Sequence, residues 1–118
     1  MIGVLLGLAL AAATTPADAV NEAGQGLFAQ IEDEDHPDTV LTAIRAEGCT
    51  VTLTGADRSL VLDMREVAGI GLAEPSFIAI ARPGGITALV SDGERPDQLA
   101  KLSALNRALS DLYRNCRR

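Results

Sequence analysis

The sequence predicts a small α+β domain: an N-terminal helix or helices, a four-stranded antiparallel sheet of two hairpins, and a C-terminal amphipathic helix packed on the sheet. Leucines recur at helical spacing near the C-terminus, as in a helix that buries one face. Upstream, short apolar segments are separated by turn residues, which is typical of hairpins. Strands in a run with helices at the two ends indicate the α+β class.

The C-terminal helix is predicted over Asp97 to Cys116. Its apolar positions follow steps of three and four residues and lie on one face: Leu99, Leu102, Leu105, Leu109, Leu112 and Cys116. Pro96 suits the first turn of a helix, and Asp97 suits its positive end. Such a leucine stripe normally packs against a core, and a partner groove or dimer interface is the alternative.

Two further segments are expected to be helical and to precede the sheet. The apolar segment 27–31 fits either a helix face or a strand, and a helix is favoured because the acidic residues after it continue a strand poorly. Segment 39–47 has apolar residues at helical spacing. Pro37 suits a first helical turn, and Gly48 supplies a C-terminal stop.

Alternation of side chains predicts the two hairpins. Segments 50–54 and 59–64 form the first, and the threonines of its first strand share one face. Segments 77–81 and 86–90 form the second. The connection 65–75 is predicted to be irregular, because two glycines interrupt its apolar residues.

The start of the chain has the pattern of a secretory signal peptide. Ile2 to Ala13 is an apolar run, and Ala17-Asp18-Ala19 matches the small-residue cleavage motif. The run is shorter than the roughly 20 residues of a spanning helix. No stable membrane span is therefore expected after cleavage, and a retained anchor is the alternative.

Cleavage after Ala19 divides the chain into a signal peptide over 1–19, a flexible lead-in over 20–26 and a single α+β domain over 27–118. This organisation predicts a periplasmic or secreted protein. Export also bears on the cysteines, because disulfides form and persist in oxidising compartments.

Cys49 and Cys116 are the two cysteines of the chain. They are expected to form a disulfide that ties the end of the last helix to the start of the first hairpin. A small domain buries a small core, so a link that restricts the unfolded chain is useful. A reactive thiol is the alternative, but it lacks a second cysteine at redox spacing.

The most charged stretch runs from Glu32 to Asp38. Asp33, Asp35 and His36 are weak candidates for a metal site, because carboxylate oxygens suit Ca²⁺. Their spacing does not match an EF-hand loop, which needs a central glycine and a terminal glutamate. Helix capping and solubility are the favoured interpretation of these acidic residues.

Signatures of catalysis and of nucleic-acid binding are lacking. No catalytic residue and no cofactor are predicted, since His36 is the single histidine and no Gly-x-Ser-x-Gly motif occurs. A net charge of −6 and an aromatic content of 3% argue against nucleic acid as a partner. Asp63 and Arg65 are expected to form a surface ion pair rather than part of an active site.

These observations favour an exported, non-enzymatic domain that binds another protein or a small ligand. Strand addition at a sheet edge and the polar threonine face are the surfaces that such binding could use. The alternative is a small hydrolase or metal-dependent enzyme that uses the acidic stretch around His36. A homodimer through the last helix or a sheet edge is a third possibility.

Overall fold

The computed structural model describes residues 15–74 and 76–117. In chain order these residues form helix α1 (Pro16–Ala23), strands β1 (Ala29–Asp33), β2 (His36–Glu47), β3 (Thr50–Gly55), β4 (Ser59–Asp63), β5 (Gly69–Glu74), β6 (Phe77–Arg82) and β7 (Gly85–Ser91), and helix α2 (Pro96–Cys116).

The seven strands of the described residues form one antiparallel sheet in the order β4-β3-β2-β1-β7-β6-β5. Consecutive strands pair within β1–β4 and within β5–β7, and the pairing of β1 with β7 joins the two groups. The prediction of a four-stranded sheet of two hairpins with N-terminal helices at 27–31 and 39–47 is therefore wrong. The helix that precedes the sheet, α1, lies upstream of both predicted helices.

Segment 39–47 lies in β2 and is not a helix. A bulge interrupts the alternation of its side chains, which explains the helical spacing of the sequence. The pairing of β2 with β3 shifts register between Leu41 and Ala43. The inward positions on either side of the shift are Leu41 and Ile44, and Ala46 follows two residues later. A bulge adds one residue to the strand, so Leu41 and Ile44 are three residues apart instead of two. A spacing of three residues is also typical of one face of a helix.

Gly48, interpreted as a helix stop, instead connects β2 to β3. Glu47 pairs with Thr50 across a two-residue turn, and Gly48 has a φ of 60°. Residues with side chains rarely adopt this conformation, whereas two-residue hairpin turns require it. Cys49 is the second residue of the turn, and its position there decides where the disulfide attaches.

Segment 27–31 leads into β1 instead of forming a helix. Leu27, Ala29, Ile31 and Asp33 are buried and alternate with residues that are exposed or half-buried. The acidic residues that follow do not prevent a strand here, because Asp33 has a charged partner, Arg82, inside the protein.

Residues 69–74 form β5, where an irregular connection was predicted. Their glycines do not prevent pairing with β6, and Gly71 lies opposite Ala79. The hairpins β3–β4 and β6–β7 occupy the segments from which they were predicted. β4 and β5 are left as the two edges of the sheet.

Helix α2 covers the inner side of the sheet, and the prediction of a C-terminal amphipathic helix is confirmed. Its buried leucines share one core with inward side chains of the strands: Leu102, Leu105, Leu109 and Leu112 with Ile31, Leu53, Ile78, Ile80 and Leu89. Fully burying one such side chain stabilises a fold by about 1.5–3 kcal/mol. The apolar core therefore lies between α2 and the sheet.

Gln98 is a buried polar residue in the first turn of α2. Its side-chain oxygen accepts a hydrogen bond from the backbone N–H of Phe28 at 2.7 Å, and its amide nitrogen donates to the carbonyl of Gly26 at 3.3 Å. Because buried polar groups need partners, these bonds fix the segment between α1 and β1 against α2.

Helix α1 packs on α2 and β2. Val20 is fully buried, and the side chain of Asn21 exchanges two hydrogen bonds with the backbone of Ala46, at 2.6 and 2.9 Å. The predicted cleavage point after Ala19 falls inside this helix, and the predicted lead-in 20–26 covers its second half and the following turn. The preceding part of the predicted signal peptide, 1–14, lies outside the described residues.

None of the helices formed by residues 15–74 and 76–117 is both long enough and apolar enough to cross a membrane.

The Cys49–Cys116 disulfide is present, and the two Cα atoms are 5.9 Å apart. It joins the β2–β3 turn to the last turn of α2, so the helix is fastened to the half of the sheet that is more distant from β5. The linked residues are 67 positions apart in the chain. A link across so long a loop strongly restricts the unfolded chain.

We predict that the double variant Cys49→Ser/Cys116→Ser has a free energy of unfolding lower by about 4 kcal/mol, because the unfolded chain regains the freedom of the open loop. Urea denaturation at neutral pH measures the change. The wild-type protein in reductant should match the variant, and the variant itself should not respond to reductant. Equal stability of the oxidised protein and the variant would contradict this.

Candidate functional site

The acidic stretch forms the tight connection between β1 and β2. Asp33 ends β1, Glu34 and Asp35 make the turn, and His36 begins β2. The Asp33 side chain is 0% exposed, whereas Asp35 and His36 face solvent. The three candidate metal ligands are therefore neighbours in the chain but do not converge on one point.

The carboxylate of Asp33 already has three donors. Nη2 of Arg82 donates at 2.5 Å, the hydroxyl of Thr87 donates at 3.2 Å, and the backbone N–H of Asp35 donates at 3.0 Å. Nε of Arg82 also donates to the Thr87 hydroxyl at 2.8 Å. Asp33, Arg82 and Thr87 thus form a closed network between β1, β6 and β7.

The network sets the ionisation of Asp33. Burial by itself raises the pKa of this carboxyl group, but the hydrogen bonds from Asp35, Arg82 and Thr87 and the charge of Arg82 outweigh it and hold the pKa below the ordinary value. Asp33 therefore stays a carboxylate that accepts hydrogen bonds. It is not available as a general acid at neutral pH.

Within residues 15–74 and 76–117, no group of three or more His, Cys, Asp or Glu side chains is placed to hold a metal ion. The Asp63–Arg65 pair lies apart from the acidic turn, with a 3.1 Å contact at the surface. A hydrogen bond from the Arg65 side chain is the main cause that lowers the pKa of Asp63.

A different feature stands out on the outer side of the sheet. On β6 and β7 the residues that alternate with the core positions are all apolar: Phe77, Ala79, Ala81, Ile86, Ala88 and Val90. We call these six residues the apolar face. Ile86 is 46% exposed and the other five are half-buried, with helix α2 on the opposite side of the sheet.

Register gives the apolar face its shape. Ala79 pairs with Ala88 at its centre, between the larger pairs Phe77–Val90 and Ala81–Ile86. The centre is therefore shallow, because a methyl group is all that each alanine projects. On the β5 side, Gly69 and Gly71 continue the surface without side chains.

Acidic residues border the apolar face on the β1 side. Glu32 lies opposite Ala88 in the pairing of β1 with β7. A depression of about 320 Å³ is lined by Ile86 and Ala88 together with the acids Glu32, Asp33, Glu34 and Asp38. The apolar surface and the negative charge thus meet at one place.

The outer surface at β3 is polar. On β3 the half-buried outward residues are the threonines 50, 52 and 54, and Thr52 lies between Arg45 and Val61 of the neighbouring strands. Val61 is one exposed apolar residue in a polar setting, which is ordinary for a protein surface. The contrast makes the apolar face distinctive.

A groove of about 540 Å³ lies where the end of α1 approaches β2, and its lining includes Phe28 and Val40. These side chains are 63% and 55% exposed. The guanidinium of Arg95 lies 5.7 Å from the centre of the Phe28 ring, in cation–π geometry. Asn21, a polar group of the lining, is engaged by Ala46, so the groove offers few free groups to orient a small ligand.

Sequence reasoning missed the apolar face, although its signal was present. A strand with one solvated face should alternate apolar and polar residues. Residues 77–81 and 86–90 are instead apolar at nearly every position, with Thr87 as the exception. Apolar residues at both the inward and the outward positions indicate that the outer side of these strands is not adapted to water.

No family model matches the chain, and no curated protein matches it. Among solved structures, it is similar to the PH domain from PfAPH, with a TM-score of 0.62 and 6% identity over 86% of this chain and 93% of that chain. The fold is PH-domain-like. A second similar structure is inner membrane complex sub-compartment protein 3 from Toxoplasma gondii, with a TM-score of 0.58 and 12% identity.

That second match covers 87% of this chain and 86% of the other. Both similarities extend over nearly the whole chain, so the PH-domain-like fold describes all seven strands and α2 together rather than one hairpin. At such low identity the likeness establishes the fold alone. The residues that distinguish this chain, on the apolar face and at its acidic border, must be interpreted from their own chemistry.

We predict that Asp33→Asn lowers the free energy of unfolding by about 3 kcal/mol at pH 7, because it removes the charge that Arg82 faces inside the protein. The pKa of Asp33 is lowered by folding, so its contribution is present above the unfolded pKa and is lost as pH falls through the folded one. Wild type and variant should therefore converge in stability as the pH falls below about 4. Urea denaturation from pH 7 to pH 2.5 measures this.

The matched control is Asp63→Asn, which makes the same chemical change in the exposed pair with Arg65. It should alter stability little at pH 7, since exposed ion pairs are screened by water. If Asp33→Asn were as mild as this control, the buried network would not stabilise the fold.

Proposed function

We propose that this protein is an exported, non-enzymatic interaction domain that binds a partner protein on its apolar face. One observation carries the proposal: the outward residues of β6 and β7 include no polar side chain, whereas the outward residues of β3 are threonines. A contiguous exposed apolar surface is costly in water and is typical of an interface.

The shape and charge of the apolar face support a partner that presents an apolar protrusion with basic residues around it. A protruding apolar side chain fits the shallow centre at Ala79 and Ala88, between the larger pairs on either side. The acidic border of Glu32, Glu34 and Asp38 favours lysine or arginine around that protrusion. The same acids, on a chain with net charge −6, repel anionic lipid surfaces and nucleic acid.

The alternative, a hydrolase or metal-dependent enzyme at Asp33, Asp35 and His36, has less support. Asp33 is buried and its carboxylate accepts three hydrogen bonds, so it is occupied by its own network. His36 faces solvent at the start of β2. A base needs a nearby proton to abstract in a substrate site, and these residues do not enclose one.

Export is supported by the apolar run Ile2 to Ala13 and the small residues that follow it. The Cys49–Cys116 disulfide supports it as well, since such bonds persist in oxidising compartments. The partner is accordingly sought outside the cytoplasm.

The test places a photoreactive amino acid at Ala79 of the full chain, expressed in cells of the source organism, and identifies cross-linked peptides by mass spectrometry. We expect one partner, with an apolar residue flanked by lysine or arginine in the cross-linked segment. In a binding assay with that purified partner, Ala88→Glu should weaken affinity at least about tenfold, because it buries a charge in the centre of the interface.

Thr52→Glu is the matched control, with the same added carboxylate on the polar surface at β3, and it should bind as the wild type does. Glu34→Lys should weaken binding and reduce its dependence on salt, because it removes attraction at the border. Equal affinity of the Ala88→Glu and Thr52→Glu variants would refute the proposed surface. Cross-linking only between copies of this chain would replace the partner by a homodimer.

A further inference from the structure

Among the described strands, β4 is an edge that pairs with β3 alone. Hydrogen bonds at both ends of this hairpin show which of its residues pair. The backbone N–H of Gly55 donates to the carbonyl of Arg58 at 2.7 Å, and that of Met64 donates to the carbonyl of Cys49 at 2.8 Å. Bonded pairs alternate along an antiparallel ladder, so the even-numbered residues of β4 bond to β3. Its odd-numbered residues direct their N–H and C=O groups away from the sheet.

The outward-directed backbone groups of β4 therefore belong to Ser59, Val61 and Asp63. The Asp63 carbonyl accepts a hydrogen bond from the N–H of Glu66 at 2.9 Å, which ends the open edge there. The side chain of Val61, in the middle of the edge, is 63% exposed. A depression of about 210 Å³ is lined by β4 together with Glu66 and Pro83, so open space lies beside the strand.

β4 lacks the features that protect an exposed edge from pairing. It contains no proline, no lysine and no bulge, and its inward side chains are leucines. The opposite edge, β5, is protected, because its pairing with β6 shifts register between Leu72 and Glu74 and helix α2 packs beside it. An unprotected edge is a template for a further strand. Of the two edges, β4 is the one open to such pairing.

The sequence of β4 is complementary to itself. Residues 59–63 are Ser-Leu-Val-Leu-Asp, so an antiparallel second copy centred on Val61 places leucine opposite leucine. Leu60 then lies opposite Leu62 of the second copy on the inner side, and the two Val61 side chains meet on the outer side. Ser59 lies opposite Asp63, whose carboxylate accepts a hydrogen bond from a hydroxyl group.

The backbone and the flanking charges fit the same register. The N–H of Val61 in each copy donates to the Val61 carbonyl of the other, and the N–H of Asp63 donates to the carbonyl of Ser59. Asp57 and Arg65 are exposed and lie at equal distances in the chain before and after Val61. The pairing brings Asp57 of one copy towards Arg65 of the other, where opposite charges attract.

We propose that this protein forms a two-fold homodimer in which β4 pairs antiparallel with β4 of a second copy, centred on Val61. Such a dimer is closed, because each copy uses its β4 edge on the other. A pair of five-residue strands buries less than the about 1,200 Å² of a stable interface, so the dimer is weak and depends on concentration. The apolar face lies on β6 and β7, so this inference does not rest on the proposed function.

Sedimentation equilibrium of the purified full chain, at concentrations up to about 1 mM, should show a monomer–dimer equilibrium. Val61→Lys places like charges opposite each other and should raise the dissociation constant at least about fivefold. The matched control is Thr52→Lys, which adds the same charge on the residue of β3 that pairs with Val61. It should dimerise as the wild type does. A monomer at every concentration, or equal dissociation constants for the two variants, would overturn the proposal.

Cysteine variants test the register independently of dimer affinity. Val61→Cys should form a disulfide between copies on mild oxidation, since directly opposed Cα atoms of a bonded pair lie about 5.5 Å apart. Ser59→Cys and Asp63→Cys should each fail to cross-link alone, because identical positions lie about 13 Å apart across the pair. A mixture of these two variants should cross-link, and peptide mass mapping should find the bond between positions 59 and 63. Equal cross-linking of Ser59→Cys alone and of the mixture would refute this register.

Discussion

The pairing of β1 with β7 is the constraint on which the rest of the structure depends. β1–β4 and β5–β7 each pair in chain order, and this one junction makes a single sheet of them. Asp33, Arg82 and Thr87 lie at the junction and link β1 to β6 and β7 by hydrogen bonds to a buried carboxylate. The network explains why an acidic residue can end a strand whose other inward residues are apolar.

Sequence patterns predicted the elements that bury a regular face with residues close in the chain. The leucines of α2 and the alternation of β3 and β4 belong to this class, because periodicity alone decides them. The patterns failed where tertiary contacts decide the conformation. The bulge after Leu41 gave β2 a helical spacing, and the charge of Asp33 made β1 look unlike a strand until Arg82, far away in the chain, was known to neutralise it.

The candidate site shows the same division. The acidic stretch was a candidate metal site because its charged residues are consecutive. In the fold, the carboxylate of Asp33 instead holds strands together. The apolar face is assembled from two strands whose outward residues are individually unremarkable, and its acidic border comes from β1 and β2. The apolar composition of this face is visible in the sequence of residues 77–90. Its acidic border could not be predicted without knowing that β1 pairs with β7.

The β1–β7 junction also governs the order in which the molecule can form. Residues 29–33 have one partner strand nearby in the chain and another that is made only after β5 and β6. Hairpins such as β3–β4 join neighbouring segments and can form early. Pairing of strands that are far apart in the chain requires a longer loop to close, which slows folding. Cys116 follows every described strand in the chain, so its thiol is synthesised after all of them. Formation of the Cys49–Cys116 bond therefore follows the synthesis of every strand that the bond restrains.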